Sequence, residues 1–157
     1  MSFPVAPWRN YHVVVEIRAP LAFVFRWCTD YTPEDARYGG EDKTIHLKRK
    51  IIERRKRRIV FENVYDEGKG WGWERHVVTL QPPNRWHSEG HGNYHESVLN
   101  YQLTPLSAEA TRFEMRWKSR PVGLFRGARP RAPVIERYVE QLWKKRARAL
   151  ESEYRRR

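Results

Sequence analysis

The sequence predicts an α+β domain: a curved antiparallel sheet gripping one long C-terminal helix, with two short helices after the first strand. Three observations carry this. From Ala132 onward, Ile135, Tyr138, Val139, Leu142, Trp143, Ala149 and Leu150 recur mostly at spacings of three and four, which puts them on one helical stripe. Between Thr44 and Ser119 the pattern changes to short runs rich in β-branched and aromatic residues, several of them alternating, the signature of strands. Those runs are separated by short Gly, Pro and Asn punctuation, so neighbours pair most simply as an antiparallel meander.

In order, residues 1–9 read as an arm broken by Pro4 and Pro7, and Tyr11–Arg18 (YHVVVEIR) as a strand that Ala19-Pro20 stops. Pro20 suits a first helical turn, and Leu21, Val24, Phe25 and Cys28 then place a short amphipathic helix. Asp30 or Thr32 is positioned to cap a second short turn through Ala36, before the break at Gly39-Gly40. Thr44–Glu53 sets Ile45, Leu47 and Ile51 on one face with Arg49 interrupting them. Glu53–Arg58 reads as a hairpin tip. Ile59–Tyr65, Trp71–Leu80, Arg85–Glu89, Tyr94–Leu103 and Ala110–Ser119 read as further strands, the last two joined by Thr104–Glu109. Pro121–Pro133 is irregular, and one continuous helix is expected over 133–152. Pro133 fits its first turn, and Glu136 there suits the helix dipole.

At 157 residues the chain is long enough for one domain with a real core. Its single cysteine, Cys28, excludes an internal disulfide and a CxxC metal site. No apolar run approaches the length of a signal peptide or a membrane span, and a cytoplasmic protein is expected. The formal charge of +12, from 31 Lys and Arg against 19 Asp and Glu, favours anionic partners without choosing among them. There is no P-loop, dinucleotide fingerprint, HExxH or nucleophile elbow in the sequence. His87, His91 and His95 stand four apart, but in strand-forming surroundings that spacing does not gather them. No metal and no cofactor are expected.

The opening segment, His12-Val13-Val14-Val15-Glu16-Ile17-Arg18-Ala19-Pro20 followed by Leu21–Asp30, resembles the start of the START-like helix-grip superfamily, which includes polyketide cyclase and birch-pollen-allergen relatives. The later order of elements is similar over nearly the whole chain. With its length, the chain is read as one such domain over 1–157, ending in the basic tail Arg155–Arg157. The resemblance implies a deep pocket between sheet and last helix for a lipid, isoprenoid or polyketide-like molecule. The superfamily has no universal catalytic residues, so it assigns none here.

Strand faces nominate the lining. Phe113, Met115 and Trp117 alternate with charged residues, and His95 shares a face with Tyr101. Trp73 and His76 fall on opposite faces of their strand; both are candidates, with Glu62 and Glu74 as further acid or base groups. Tyr138 and Leu142 face inward on the final helix by spacing, and Leu124 and Phe125 are expected near the mouth. Cys28 reads as a small buried hydrophobe.

The leading expectation is a non-enzymatic binder or carrier of a hydrophobic small molecule. A cyclase- or aromatase-like enzyme is the first alternative. The second is a ribosome- or RNA-associated module, or one for an anionic membrane surface, using the basic block Lys48, Lys50, Arg54, Arg55, Lys56, Arg57 and Arg58. Those residues, on a hairpin, are expected to bind anions more firmly than the fraying tail Arg155–Arg157.

Overall fold

The computed structural model describes residues 5–34, 46–66, 71–123 and 129–157. Strand β1 (Arg9–Ile17) leads into helix α1 (Leu21–Cys28). Six strands follow: β2 (His46–Arg55), β3 (Arg58–Asp66), β4 (Trp71–Gln81), β5 (Arg85–Gly92), β6 (His95–Ser107) and β7 (Ala110–Pro121). Helix α2 (Ala132–Arg155) closes the order. The strands form one antiparallel sheet in the order β1-β7-β6-β5-β4-β3-β2.

Two parts of the expected architecture are corrected. The sheet is open rather than strongly curled, because β1 and β2 are its two edges and do not pair with each other. Among the described residues only α1 lies between β1 and β2. The segment after it bends instead at Tyr31, whose φ of 44° is left-handed, a region that non-glycine residues seldom adopt. A helical turn through Ala36 would lie partly outside the described residues. Two smaller differences concern the strands: β6 runs on to Ser107, and Ile52 is an extra residue at an irregularity within β2 between the Ile51–Phe61 and Glu53–Val60 pairs.

Alternation sorts the sheet. Its inner face carries Tyr11, Val13, Val15 and Ile17 from β1, Phe113, Met115 and Trp117 from β7, and Trp86 and Leu103 from β5 and β6, all buried. Its outer face is charged: Glu62 pairs with Arg75 at 2.6 Å, and Glu114 with His12 at 2.7 Å. The His12 hydrogen bond, helped by Arg112 and Arg116, holds the Glu114 carboxyl below its ordinary range against the opposing effect of burial.

Helix α2 forms where the sequence places it, but its buried stripe is rotated from the expected one. Trp143, Ala147 and Leu150 are buried, and Ala132, Ile135, Val139 and Tyr154 pack beside them. Tyr138 points outward at 59% exposure. Ala149 sits off the stripe, partly buried, because Ala147 holds the inward position.

The helix runs along the β1 edge. The backbone N–H of His12 donates to Glu136 Oε2 at 2.8 Å, and that of Arg18 to Glu151 Oε1 at 2.9 Å. Glu136 therefore serves the strand rather than its own helix dipole. An edge strand presents unpaired N–H groups that can template aggregation, and here two carboxylates satisfy them from above. The double substitution Glu136→Ala, Glu151→Ala is expected to cost about 2–4 kcal/mol, since a charged hydrogen bond contributes roughly 1.5–3 kcal/mol before solvent screening. Urea unfolding measures the loss, and each single variant should take about half of it.

Candidate functional site

Helix α2 covers the sheet toward β1, β7 and β6. Trp143 fills that side, its ring 4.1 Å from Phe113 and 6.2 Å from Tyr101 between centroids. Part of the inner face of β2–β6, through Arg49, Phe61, Asn63, Glu74, His76, Ser88, Leu99 and Tyr101, lines a cavity of about 500 Å³. Its opposite wall is the end of α1 (Trp27, Cys28), the following residues Asp30, Tyr31, Thr32 and Glu34, and Arg146 and Glu153 of α2. Trp27 Nε1–H donates to Glu153 Oε2 at 2.8 Å, tying the two helices together at the wall.

The sheet wall carries one connected line of polar side chains. Arg49 on β2 donates to Asn63 Oδ1 on β3 at 2.9 Å. Asn63 Nδ2 donates to Glu74 Oε1 on β4 at 3.2 Å. The same oxygen lies 3.0 Å from His76 Nε2, and His76 Nδ1 lies 3.1 Å from Ser88 Oγ on β5. Strand register makes this possible: Arg49 stands opposite Asn63, Asn63 opposite Glu74, and Ser88 opposite Val78, one inward position along β4 from His76. A carboxylate only accepts hydrogen bonds, so Nε2 carries a proton, and in the neutral imidazole Nδ1 is then the acceptor for the Ser88 hydroxyl.

Aromatic rings flank that line. Phe61 stacks on His76 at 5.0 Å and on Tyr31 at 5.2 Å, and the Arg49 guanidinium lies over Phe61 at 4.3 Å. The left-handed turn at Tyr31 directs its ring onto Phe61, and the Arg54 guanidinium fixes the turn by donating to the Tyr31 carbonyl. Tyr101 stacks on Trp86 at 4.6 Å. Burial pushes the Tyr31 and Tyr101 phenols well above their ordinary range. Both therefore remain hydrogen-bond donors at any working pH.

The structure brings together some of the sequence candidates and separates others. His76 and Tyr101 line the cavity, with Glu74. Trp73 does not: it lies on the outer face at 41% exposure, beside Trp71 at 67%. His95 is exposed at the start of β6, outside the lining. Phe113, Met115 and Trp117 face inward as their alternation requires, but they are packed core, with Trp117 stacked on Tyr11 at 4.9 Å. Leu142 is partly buried and Tyr138 exposed, and neither reaches the cavity. Glu62 is on the outer face with Arg75. Cys28 is only partly buried and forms part of the cavity wall. Leu124 and Phe125 lie outside the described residues. Sequence reading missed Trp27, Tyr31, Asn63, Ser88, Leu99, Arg146 and Glu153 as lining. For Arg49 a signal was present, a charge interrupting an apolar face.

The residues of the basic block are exposed and differ in their partners. Arg54 turns to the Tyr31 carbonyl on the inner side, while Arg55 and Arg58 lie 2.9 and 3.4 Å from Glu53. Lys48 and Lys50 are exposed along β2, and Lys56 and Arg57 at the turn. Among the described residues no three His, Cys, Asp or Glu side chains converge to hold a metal, and no helix is long and apolar enough to cross a membrane.

No family model matches the chain, and no curated protein does. Solved structures match it over nearly its full length. A START superfamily protein from Mycobacterium smegmatis is 12% identical with a TM-score of 0.66, covering 94% of this chain and 97% of its own. A protein from Thermus thermophilus is 16% identical with a TM-score of 0.73, covering 92% and 99%. The Zhui aromatase/cyclase from a Streptomyces species is 17% identical with a TM-score of 0.67, covering 96% of both chains. At these identities the likeness is one of fold: the chain shares the antiparallel sheet and long C-terminal helix of these structures, and no family is singled out.

Proposed function

We propose that the chain binds an amphipathic small molecule, with an extended aromatic or polyketide-like body, in the cavity between β2–β5 and the two helices. The observation that carries this is the pairing of aromatic walls with a hydrogen-bonded polar line in one space of about 500 Å³. Ligand sites combine apolar lining with a few fixed polar groups in this way. Trp27, Tyr31, Phe61, Tyr101 and Trp143 offer ring faces, while Arg49, His76 and the Tyr31 and Tyr101 hydroxyls offer polar contacts. Four carboxylates (Asp30, Glu34, Glu74, Glu153) and two guanidiniums (Arg49, Arg146) line the space. That balance favours a neutral, hydroxyl- or carbonyl-bearing ring system over a free fatty acid, despite the basic chain. The known structures supply context: the same fold carries a protein named as an aromatase/cyclase.

A fluorescent aromatic probe is expected to bind at micromolar affinity and to be displaced by a hydroxylated polyaromatic competitor more readily than by a fatty acid. Leu99→Trp, which fills the cavity from β6, should weaken binding by at least about tenfold, or about 1.4 kcal/mol. Equal binding by Leu99→Trp and the parent protein would place the probe elsewhere. Catalysis on the bound molecule is the second reading, favoured by an imidazole held on both nitrogens within the cavity wall.

A further inference from the structure

Resting on the cavity as a ligand site, we propose that it is also an acyl-transfer site, in which Ser88 is the nucleophile, His76 its base and Glu74 the group that orients the base, acting on an ester of an aromatic acid. The geometry is that of a serine, a base and an orienting carboxylate in series. Ser88 Oγ is 3.1 Å from His76 Nδ1, and His76 Nε2 is 3.0 Å from Glu74 Oε1. Asn63 holds that same carboxylate oxygen at 3.2 Å. The ring is fixed further by stacking on Phe61. Ser88 is 3% exposed, yet it contributes to the cavity wall, so its reach is toward a bound molecule rather than bulk water. Relative to the familiar triads the two ring nitrogens exchange roles, which leaves the logic intact: one nitrogen accepts the hydroxyl proton while the other stays bound to the carboxylate.

The steps balance without a further cofactor. Ser88 Oγ attacks the ester carbonyl carbon as its proton passes to His76 Nδ1. The tetrahedral oxyanion collapses, the C–O bond to the leaving alcohol breaks, and His76 returns the proton to that alcohol. Water then repeats the sequence on the acyl-serine, releasing the acid and restoring Ser88. Negative charge on the oxyanion needs donors, and the Tyr101 and Tyr31 hydroxyls and the Arg49 guanidinium belong to the same cavity.

The test uses the full chain, a fluorophosphonate probe and a p-nitrophenyl ester of benzoic acid. The expected result is a covalent adduct mapped by peptide mass to Ser88. Ester turnover should fall at least about a hundredfold in Ser88→Ala and in His76→Gln. It should fall less in Glu74→Gln, with a shifted pH profile. Aromatic-probe binding by Ser88→Ala reports that its cavity is folded, so that its loss of turnover is read on a folded protein. Probe binding without an adduct on Ser88, or turnover unchanged in Ser88→Ala, overturns the acyl-transfer site and leaves the binding reading standing. An adduct on Ser97 or Cys28 instead overturns it equally. Absence of aromatic-probe binding by the parent protein removes the binding reading, and the acyl-transfer site with it. Adduct mapping is done on the parent chain, so a variant that fails to fold does not spoil the test.

Discussion

Trp143→Ala is expected to destabilise the protein by about 3–5 kcal/mol, the range for deleting a large buried aromatic side chain. Trp143 is 7% exposed, sits 4.1 Å from the fully buried Phe113 and meets Tyr101 edge-on. Its ring joins α2 to β6 and β7 through those two contacts. The loss belongs high in the range, because the sheet is hydrogen-bonded on both sides of Phe113 and Tyr101 and collapses poorly into a void. Denaturant unfolding measures it, and thermal unfolding should fall by roughly 10 °C, at about 2–4 °C per kcal/mol for a chain this size. Tyr138→Ala is the control. Both residues lie on the stripe predicted from spacing, yet Tyr138 is 59% exposed, and its loss should stay within about 0.5 kcal/mol. Similar losses from both would mean that the helix is rotated from the orientation described.

That pair also shows how far the sequence carries the fold. Spacing placed the long helix to within a few residues at each end, because apolar periodicity is a local property. It could not fix the rotation, since an amphipathic helix with aromatics on two flanks has more than one plausible buried line. The choice of Trp143, Ala147 and Leu150 over Tyr138 and Ala149 comes from partners distant in the chain, Phe113 above all. Strand alternation was legible for the same local reason, and the inward face of 111–117 followed from it. The second short helix was misread. Its capping residues were compatible with a helical turn, but Tyr31 adopts a left-handed bend and its carbonyl is taken by Arg54, a partner 23 residues away.

The site was less legible, for a physical reason. Each strand from β2 to β5 reads as apolar on its inner face with one or two polar exceptions: Arg49, Asn63, Glu74 with His76, and Ser88. Singly, these look like tolerated core polar groups. Their meaning comes from register, which sets Arg49 against Asn63 and Asn63 against Glu74, so five isolated exceptions become one hydrogen-bonded line. Aromatic residues serve two ends. Phe113, Met115 and Trp117 fill the core, whereas Phe61, Tyr31 and Trp27 wall the cavity. Composition cannot distinguish a ring that packs from a ring that lines a space.

Gly90 is the position where fold and site meet, and Gly90→Ala is expected to damage both. A Cβ at Gly90 would lie 2.5 Å from Ser97 Oγ and 2.7 Å from His76 Cε1, closer than nonbonded atoms settle. The glycine is therefore required by space: the His76 ring occupies the room its side chain would fill. That ring cannot step aside freely, since it is bonded to Glu74 and Ser88 and stacked on Phe61. Overpacking of this kind costs about 1–3 kcal/mol. Displacing the ring into the cavity should weaken aromatic-probe binding by about tenfold, or about 1.4 kcal/mol. A double-mutant cycle isolates the cause. In a His76→Ala background the ring is gone, so adding Gly90→Ala should cost under about 1 kcal/mol, with only the Ser97 hydroxyl, free to rotate away, left in contact. If Gly90→Ala costs as much with His76 absent as with it present, the imidazole is not what the new methyl meets. The cavity wall would then have to be redrawn, beginning with the place of His76 in the polar line.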